Sequence, residues 1–231
     1  MATDLFGGIL RDKGFAAWAA KRPVRGSKTM ANRATRDEIV SVADDLFYRM
    51  GYEHTSFADI ADVVKISRGN FYHHFKTKDD ILDAVIDKRL ADRRAMLDRW
   101  EMEGKTPEER IGHFIDILLV NGEKIKRYGC PIGTLTSELA KLSHGAQADA
   151  SRLFTLFRAW LRGQFVALGR KADADALAMH LLVRSQGVAT LFNAFQDQEF
   201  VEREVAQMKD WLRKIATEGS EAVGGTARIR I

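Results

Sequence analysis

Cysteine is nearly missing from this 231-residue chain: Cys130 stands alone, so no disulfide can close within it. No secretory signal stands out, and the two absences together favour a reducing compartment, the cytoplasm. Long apolar runs are missing too. Stretches such as Ile117-Leu118-Leu119-Val120 fall far short of the roughly 20 residues a membrane span needs, which leaves the membrane out as a partner. The patterns that carry catalysis are also lacking. There is no glycine-rich phosphate loop, no Cys/His metal spacing and no nucleophile set beside a base. His73 and His74 are adjacent, whereas two ligands on one helix face would stand four apart. The acidic pairs Asp44-Asp45 and Asp79-Asp80 read as solvated faces or helix caps. Nothing calls for a metal or a cofactor, and the chain does not read as an enzyme.

What is present is apolar content of 45%, enough for a sizeable core, and 29% charge, enough for a wet surface. The formal net charge of +4 is unevenly spread. Residues 1–36 hold eight Lys or Arg against two acids, a surplus of six, and the remainder holds 28 basic against 30 acidic groups. The positive charge therefore lies next to the segment at residues 55–82, where it would favour an anionic partner such as phosphate. Within residues 1–34, Gly7-Gly8, Gly14, Pro23 and Gly26 interrupt any period, so a largely disordered basic arm is expected, with one short amphipathic stretch at residues 5–20.

From residue 35 the apolar residues recur at three- and four-residue steps, and no strand-like alternation survives inspection. An all-α fold is expected. Ile39, Val42, Ala43, Leu46 and Phe47 make one stripe of a first helix over residues 35–50, with Thr35 and Glu38 in capping-box spacing and Gly51 as the stop. Thr55 or Ser56 caps a second helix whose Phe57, Ile60, Ala61 and Val64 face inward. Val64-Lys65-Ile66 is a turn, and Ser67 caps a third helix to residue 74 with Phe71 and Phe75 in the core. Arg68, Asn70, Tyr72 and His73 are left on its other faces. Two short helices joined in this way form a helix-turn-helix, with the later one placed for a major groove.

The runs Thr55-Ser56-Phe57-Ala58-Asp59-Ile60-Ala61, Ile66-Ser67-Arg68-Gly69-Asn70-Phe71-Tyr72-His73-His74-Phe75 and Lys78-Asp79-Asp80-Ile81-Leu82 closely resemble the DNA-binding domain of the TetR family of transcriptional regulators. The match spans residues 36–82. Lys65 departs from it, standing where the family usually has glycine; a positive φ there would cost a lysine about 1 kcal/mol and would add a cation near phosphate. The resemblance implies phosphate contacts from Tyr72, His74 and Lys78, with Lys65, His73 and Lys76 close by. Thr55, Ser56 and Ser67 sit at helix N-termini that suit a phosphate. Arg68 and Asn70 are the candidates for base edges, since Arg suits guanine and Asn adenine, and Gly69 would permit close approach.

Beyond a fourth helix starting at Lys78, long enough to link head and body, the chain reads as a larger helical domain over residues 83–218 with a frayed tail at 219–231. Helices are expected at 107–127, 132–142, 146–168, 174–195 and 200–215. The run Gly129-Cys130-Pro131-Ile132-Gly133-Thr134-Leu135 with Glu138-Leu139 resembles the ligand-domain pattern of some TetR-type regulators. By that resemblance a small, mostly apolar or aromatic effector would lie among Phe114, Leu118, Cys130, Phe157, Trp160, Met179 and His180. Ordinary core packing is the competing reading for each. The resemblance also implies a homodimer through the last two long helices, with Ser185, Val188, Leu191, Phe192, Phe195 and Trp211 at the contact. The expected partners are thus double-stranded DNA with a pseudo-palindromic operator, a second copy and an effector. The expected function is that of a ligand-responsive repressor. A DNA-binding dimer with no effector, and a helical interaction module that has lost operator binding, remain the alternatives.

Overall fold

A computed structural model describes residues 28–226. The basic arm and its short amphipathic stretch lie outside them, except for the last residues before 35. Every regular element among the described residues is a helix: α1 (Lys28–Met50), α2 (Phe57–Val64), α3 (Arg68–His74), α4 (Lys78–Glu103), α5 (Pro107–Val120), α6 (Gly122–Tyr128), α7 (Pro131–Lys141), α8 (Gln147–Ala167), α9 (Ala174–Phe195) and α10 (Gln198–Thr226). Among the described residues, no helix is long and apolar enough to cross a membrane.

Three boundaries differ from expectation. Helix α1 begins seven residues before Thr35, so Thr35 sits inside the helix and the Thr35–Glu38 spacing is not a cap. The Lys, Met, Ala and Arg residues ahead of it are good helix formers that carry the helix through. The helix expected at residues 107–127 is two, broken at Asn121 (φ −105°, ψ 17°). Asn121 is buried, and its Nδ2 donates to the Ile117 carbonyl at 3.2 Å. A side-chain amide that competes for helix carbonyls, followed by Gly122, is a physical reason for the break. Helix α10 runs on to Thr226 instead of ending near residue 215.

The chain divides into two compact units. The first holds the described residues up to Arg89 together with Thr134–Ala150; the second holds Leu90–Gly133 and the residues from Ser151 onward. In the first, α1 packs on α2 and α2 on α3. Ile39, Ala43, Phe47, Ile60, Phe71 and Phe75 share its core with Ile81, Leu82 and Val85 from the start of α4 and Leu135 and Leu139 from α7. Residues more than eighty positions apart in sequence therefore build one core. Asp44, expected on a solvated face, instead receives Arg89 Nε at 2.6 Å and Lys88 Nζ at 3.4 Å. Burial pushes its carboxyl up, but the two cations outweigh that and hold it below the usual range.

The second unit packs α5 on α10 and α9 on α5, α6 and α10. Its buried residues include Trp100, Ile111, Ile115, Leu118, Phe165, Leu181, Phe192 and Met208. Apolar contact supplies most of this interior, with a polar patch among the tryptophans.

Candidate nucleic-acid interface

Local chemistry shapes the end of the first unit. Ser56, not Thr55, caps α2: its hydroxyl accepts from the Asp59 amide at 3.2 Å, and Asp59 Oδ2 accepts from the Ser56 amide at 2.8 Å. This reciprocal box satisfies two amides that a helix start leaves orphaned. The Ser56 hydroxyl, donating to Asp59 Oδ2 at 2.7 Å, and then the Ser56 amide hold the Asp59 carboxyl below its ordinary range. Thr55 is only 1% exposed and its hydroxyl donates to the Gly51 carbonyl at 2.7 Å. Its amide donates to Tyr52 O. At 1% exposure Thr55 cannot reach a phosphate, whereas Ser56 is exposed.

Helix α2 ends at Lys65, whose φ of 58° and ψ of 43° lie in the left-handed region and whose amide donates to Ala61 O. The family glycine has thus been replaced at a position that does carry positive φ. The lysine side chain is exposed beside the turn. Ser67 then caps α3, accepting from the Asn70 amide at 3.3 Å.

Helix α3 is anchored by Phe71 and the following Phe75, both buried. Phe57 packs on Phe71 and Tyr72, with ring centroids 5.0 and 5.5 Å away. Arg68, Gly69, Asn70 and His73 are exposed, as is Tyr72 at 47%. A side-chain carbon built on Gly69 would meet nothing within 4 Å, so no intrachain packing calls for glycine there. A groove of about 220 Å³ between α2 and α3 is lined by Ser56, Phe57, Ala58, Ala61, Arg68, Phe71 and Tyr72. The resulting surface offers forked and amide donors, hydroxyls and a phenol rim, which is the chemistry base edges and phosphates take.

Two cations behave differently from expectation. Lys76 Nζ reaches back to Tyr72 O at 2.5 Å. Lys78 Nζ donates to Tyr52 O at 2.9 Å and Glu53 O at 3.1 Å, and lies 4.3 Å over the Tyr52 ring. Lys78 therefore spends two of its three donors closing the connector between α1 and α2. His74 is half-buried, and burial, then His73 and Arg36, hold its imidazole below the ordinary range. Arg36, its guanidinium 4.8 Å over Phe75, and Arg33 are exposed on the added length of α1. Charge counting pointed at this region, but not at a helical carrier for it.

The same connector is held from a distant stretch. Glu138 of α7 accepts the Tyr52 and Glu53 amides, each at 2.9 Å. Gly51 has a φ of 90°, and a side-chain carbon there would stand 2.9 Å from Glu138 Oε1, so both backbone and space ask for glycine. The Tyr52 hydroxyl donates to Asp79 Oδ1 at 2.5 Å. His144 accepts the Ala146 amide at Nδ1, which leaves the proton on Nε2 in the neutral ring. That proton faces the Tyr52 oxygen at 3.3 Å and Asp79 Oδ1 at 3.4 Å. No sequence signal marked Glu138 or His144 for this role.

In the second unit the residues expected around an effector do not all converge. Phe114 and Phe157 meet at 5.5 Å, with Leu118 also buried. Trp160 contacts Trp100 at 5.7 Å. Cys130 is half-buried, its sulfur accepting the Gly133 amide at 3.5 Å. Met179 and His180 are exposed, and His180 packs on Trp211 at 4.9 Å. Of the residues expected at a dimer contact, Ser185, Val188 and Phe192 are buried within their own chain, whereas Leu191 and Phe195 are exposed and Trp211 is half-buried. Met179, Val183, Leu191 and Phe195 are the large apolar groups on an exposed α9 face that also carries Gly187, Thr190 and Ala194.

Comparison with known proteins agrees with this geometry. The family model described as bacterial regulatory proteins of the tetR family matches residues 39–85. An HTH-type transcriptional regulator from the lacX 3' region of Lactococcus lactis subsp. lactis is 27% identical over 79% of this chain and 95% of its own. The HTH-type transcriptional repressor DhaR of Mycobacterium sp. (strain GP1) is 25% identical over 68% of this chain and 82% of its own. Among solved structures, a TetR transcriptional regulator from Legionella pneumophila superposes with a TM-score of 0.67 at 26% identity, covering 82% of this chain and 98% of that one. A TetR-family regulator from Cytophaga hutchinsonii shares the fold at a TM-score of 0.70 and 18% identity, over 83% of this chain and 98% of that one.

Proposed function

This chain belongs to the TetR family of bacterial regulatory proteins and is a helix-turn-helix transcriptional regulator, not an enzyme, and on that premise we propose that it is a homodimeric, ligand-responsive repressor of a pseudo-palindromic operator. The observation that carries the DNA reading is the exposed first turn of α3. Arg68, Gly69 and Asn70 point away from a helix pinned beneath by Phe71 and Phe75. Arg68 and Asn70 read base edges, and Gly69 keeps the backbone close to them. Ser56, Lys65, Ser67, Tyr72, His73, His74 and Lys76 face phosphates, and Lys78 acts chiefly by setting the connector.

The dimer is supported by the exposed α9 face. Val183 and Phe195 are 65% and 66% exposed, and no Asp, Glu, Lys or Arg interrupts the stripe they share with Met179, Leu191 and Ala194. Such a face on a globular chain calls for a partner, and a second copy would supply the second reading head that two half-sites about 34–36 Å apart require. An effector that binds one dimer geometry better than the other would change operator affinity by its differential binding, typically about 1–3 kcal/mol.

Selection from a random DNA pool tests the reading. An inverted repeat should be enriched, and Arg68→Ala should weaken binding to it about 10- to 100-fold at fixed salt while relaxing one base position per half-site. Failure of the intact protein to enrich any sequence would refute it.

A further inference from the structure

Helix α1 carries one of its faces past the edge of the core it helps to build. Phe47, Ala43 and Val40 are buried and recur at four- and three-residue steps. The same steps, continued toward the start of the helix, reach Arg36 and then Arg33, both exposed. A stripe that packs inward for two turns therefore ends in two guanidinium groups, which suit an anionic partner outside the chain. The residues ahead of Lys28 carry the same sign, with Arg11, Lys13, Lys21, Arg22 and Arg25 against Asp4 and Asp12.

These arginines stand at the far end of the reading helix. The Arg36 guanidinium lies 4.8 Å over the ring of Phe75, the residue that ends α3. Its charge is close enough to join burial and His73 in holding the His74 imidazole down. The exposed His73 and Lys76 belong to the same end. Seven helical residues span about 10 Å, so most of the length of α3 separates this cluster from Arg68, Gly69 and Asn70. A guanidinium over an aromatic ring keeps N–H donors available, and phosphate is an oxyanion that it binds with two of them.

Other arginines of the chain are neutralised within it: Arg89 pairs with Asp44, Arg110 with Glu101 and Arg158 with Asp175. Among the described residues, Arg33 and Arg36 are in no such pair, although Asp37 stands four residues from Arg33, at a spacing that permits one. Their charge therefore stays on the surface of the unit that holds the reading helix, where a long-range attraction to a polyanion is strongest.

We propose that Arg33 and Arg36 form a second DNA contact, gripping backbone phosphates at the opposite end of α3 from the base-reading turn. This rests on the DNA-binding reading of the first unit and adds residues that read no base. Fluorescence anisotropy on the full-length chain tests it with two duplexes, the inverted repeat enriched from the pool and a random sequence of about 30 base pairs, each titrated from about 50 to 200 mM salt. Arg33→Gln with Arg36→Met removes both charges, and methionine keeps an apolar contact for Phe75. Binding to both duplexes should weaken about tenfold or more at the low-salt end, and the salt slope should fall by about one for each arginine in each protomer. The selected sequence should stay the same, in contrast to Arg68→Ala. Arg33→Lys with Arg36→Lys keeps the charges and should keep the slope. Arg33 is exposed, so Arg33→Gln alone, expected to take about half of the slope change, decides if the double variant does not fold. A slope unchanged on both duplexes overturns the proposal. So does weaker binding at an unchanged slope, the result of a disturbed end of α3, and so does an altered selected sequence. Failure of the regulator reading shows separately, as no enrichment from the pool, and the random duplex still reports the phosphate contacts in that case.

Discussion

Two polar clusters in this chain are built on opposite terms. In the first unit, Glu138, Tyr52, Asp79 and His144 satisfy one another and the backbone amides of the connector after α1. In the second, Trp100, Trp160 and Gln164 leave two donors and an acceptor open. A satisfied network holds its elements in one arrangement, because every rearrangement strands a group in low dielectric. The contrast separates a cluster tied by its own bonds from one whose polar atoms no described protein group answers.

The comparison can be broken most directly at Glu138. Replacing it by alanine strands the Tyr52 and Glu53 amides and should cost about 2–3 kcal/mol, read from the urea midpoint; Glu138→Gln, which keeps an acceptor, should cost about half of that. An unchanged midpoint in Glu138→Ala would mean that the first cluster is no more binding than the second.

A matched pair sharpens it next. Tyr52→Phe removes the hydroxyl that Asp79 accepts from and should lower stability by about 1–2 kcal/mol. Trp160→Phe, measured without ligand, removes a donor that has no partner, and that relief offsets part of the lost packing, leaving a change within about 1 kcal/mol. The reverse order in urea unfolding would contradict the assignment of satisfied and open clusters.

The pH dependence should also divide the two. The hydrogen bond from Tyr52, then that from His144, holds the Asp79 carboxyl below its ordinary range. Its contribution is therefore full above the unfolded value of about 3.9 and is lost as pH falls through the lower folded value. Burial, then the bond to Asp79, pushes the Tyr52 phenol above its ordinary range. That contribution is full below about pH 10 and is lost as pH rises through the folded value. Urea midpoints taken at pH 3, 7 and 10.5 should show losses at both ends, and Tyr52→Phe should flatten both.

The smallest effect expected is at Lys65. Lys65→Gly relieves a left-handed lysine but frees the unfolded chain, for a net gain of about 0.5 kcal/mol. If its ammonium meets a phosphate, the salt slope of operator binding should fall by about one. A slope that stays the same would remove Lys65 from the contact surface.

How much of this was legible depended on sequence distance. Ser56 with Asp59 and Ser67 with Asn70 are decided within three residues, so spacing located the second cap and narrowed the first to two neighbours, while the positive φ at Lys65 was suggested only by the resemblance to a family with glycine there. The same local logic failed at Thr35, where good helix formers extend α1 past a capping pattern, and at Asn121, where one buried side chain splits a helix whose apolar period runs on. Lys78 resembled a phosphate ligand because its carbonyl partners, Tyr52 and Glu53, lie about 25 residues away.

Composition and periodicity by themselves determined an all-α chain with a helix-turn-helix near its start, because caps, turns and apolar faces are written in neighbouring residues. The partner of the connector and the chemistry of the second unit were decided only by tertiary structure. Glu138 meets Tyr52 across 86 residues and Gln164 meets Glu101 across 63. The physical reason is that a hydrogen-bonding group looks the same in sequence whether it is answered or not; only packing shows which donors found an acceptor, and which were left open.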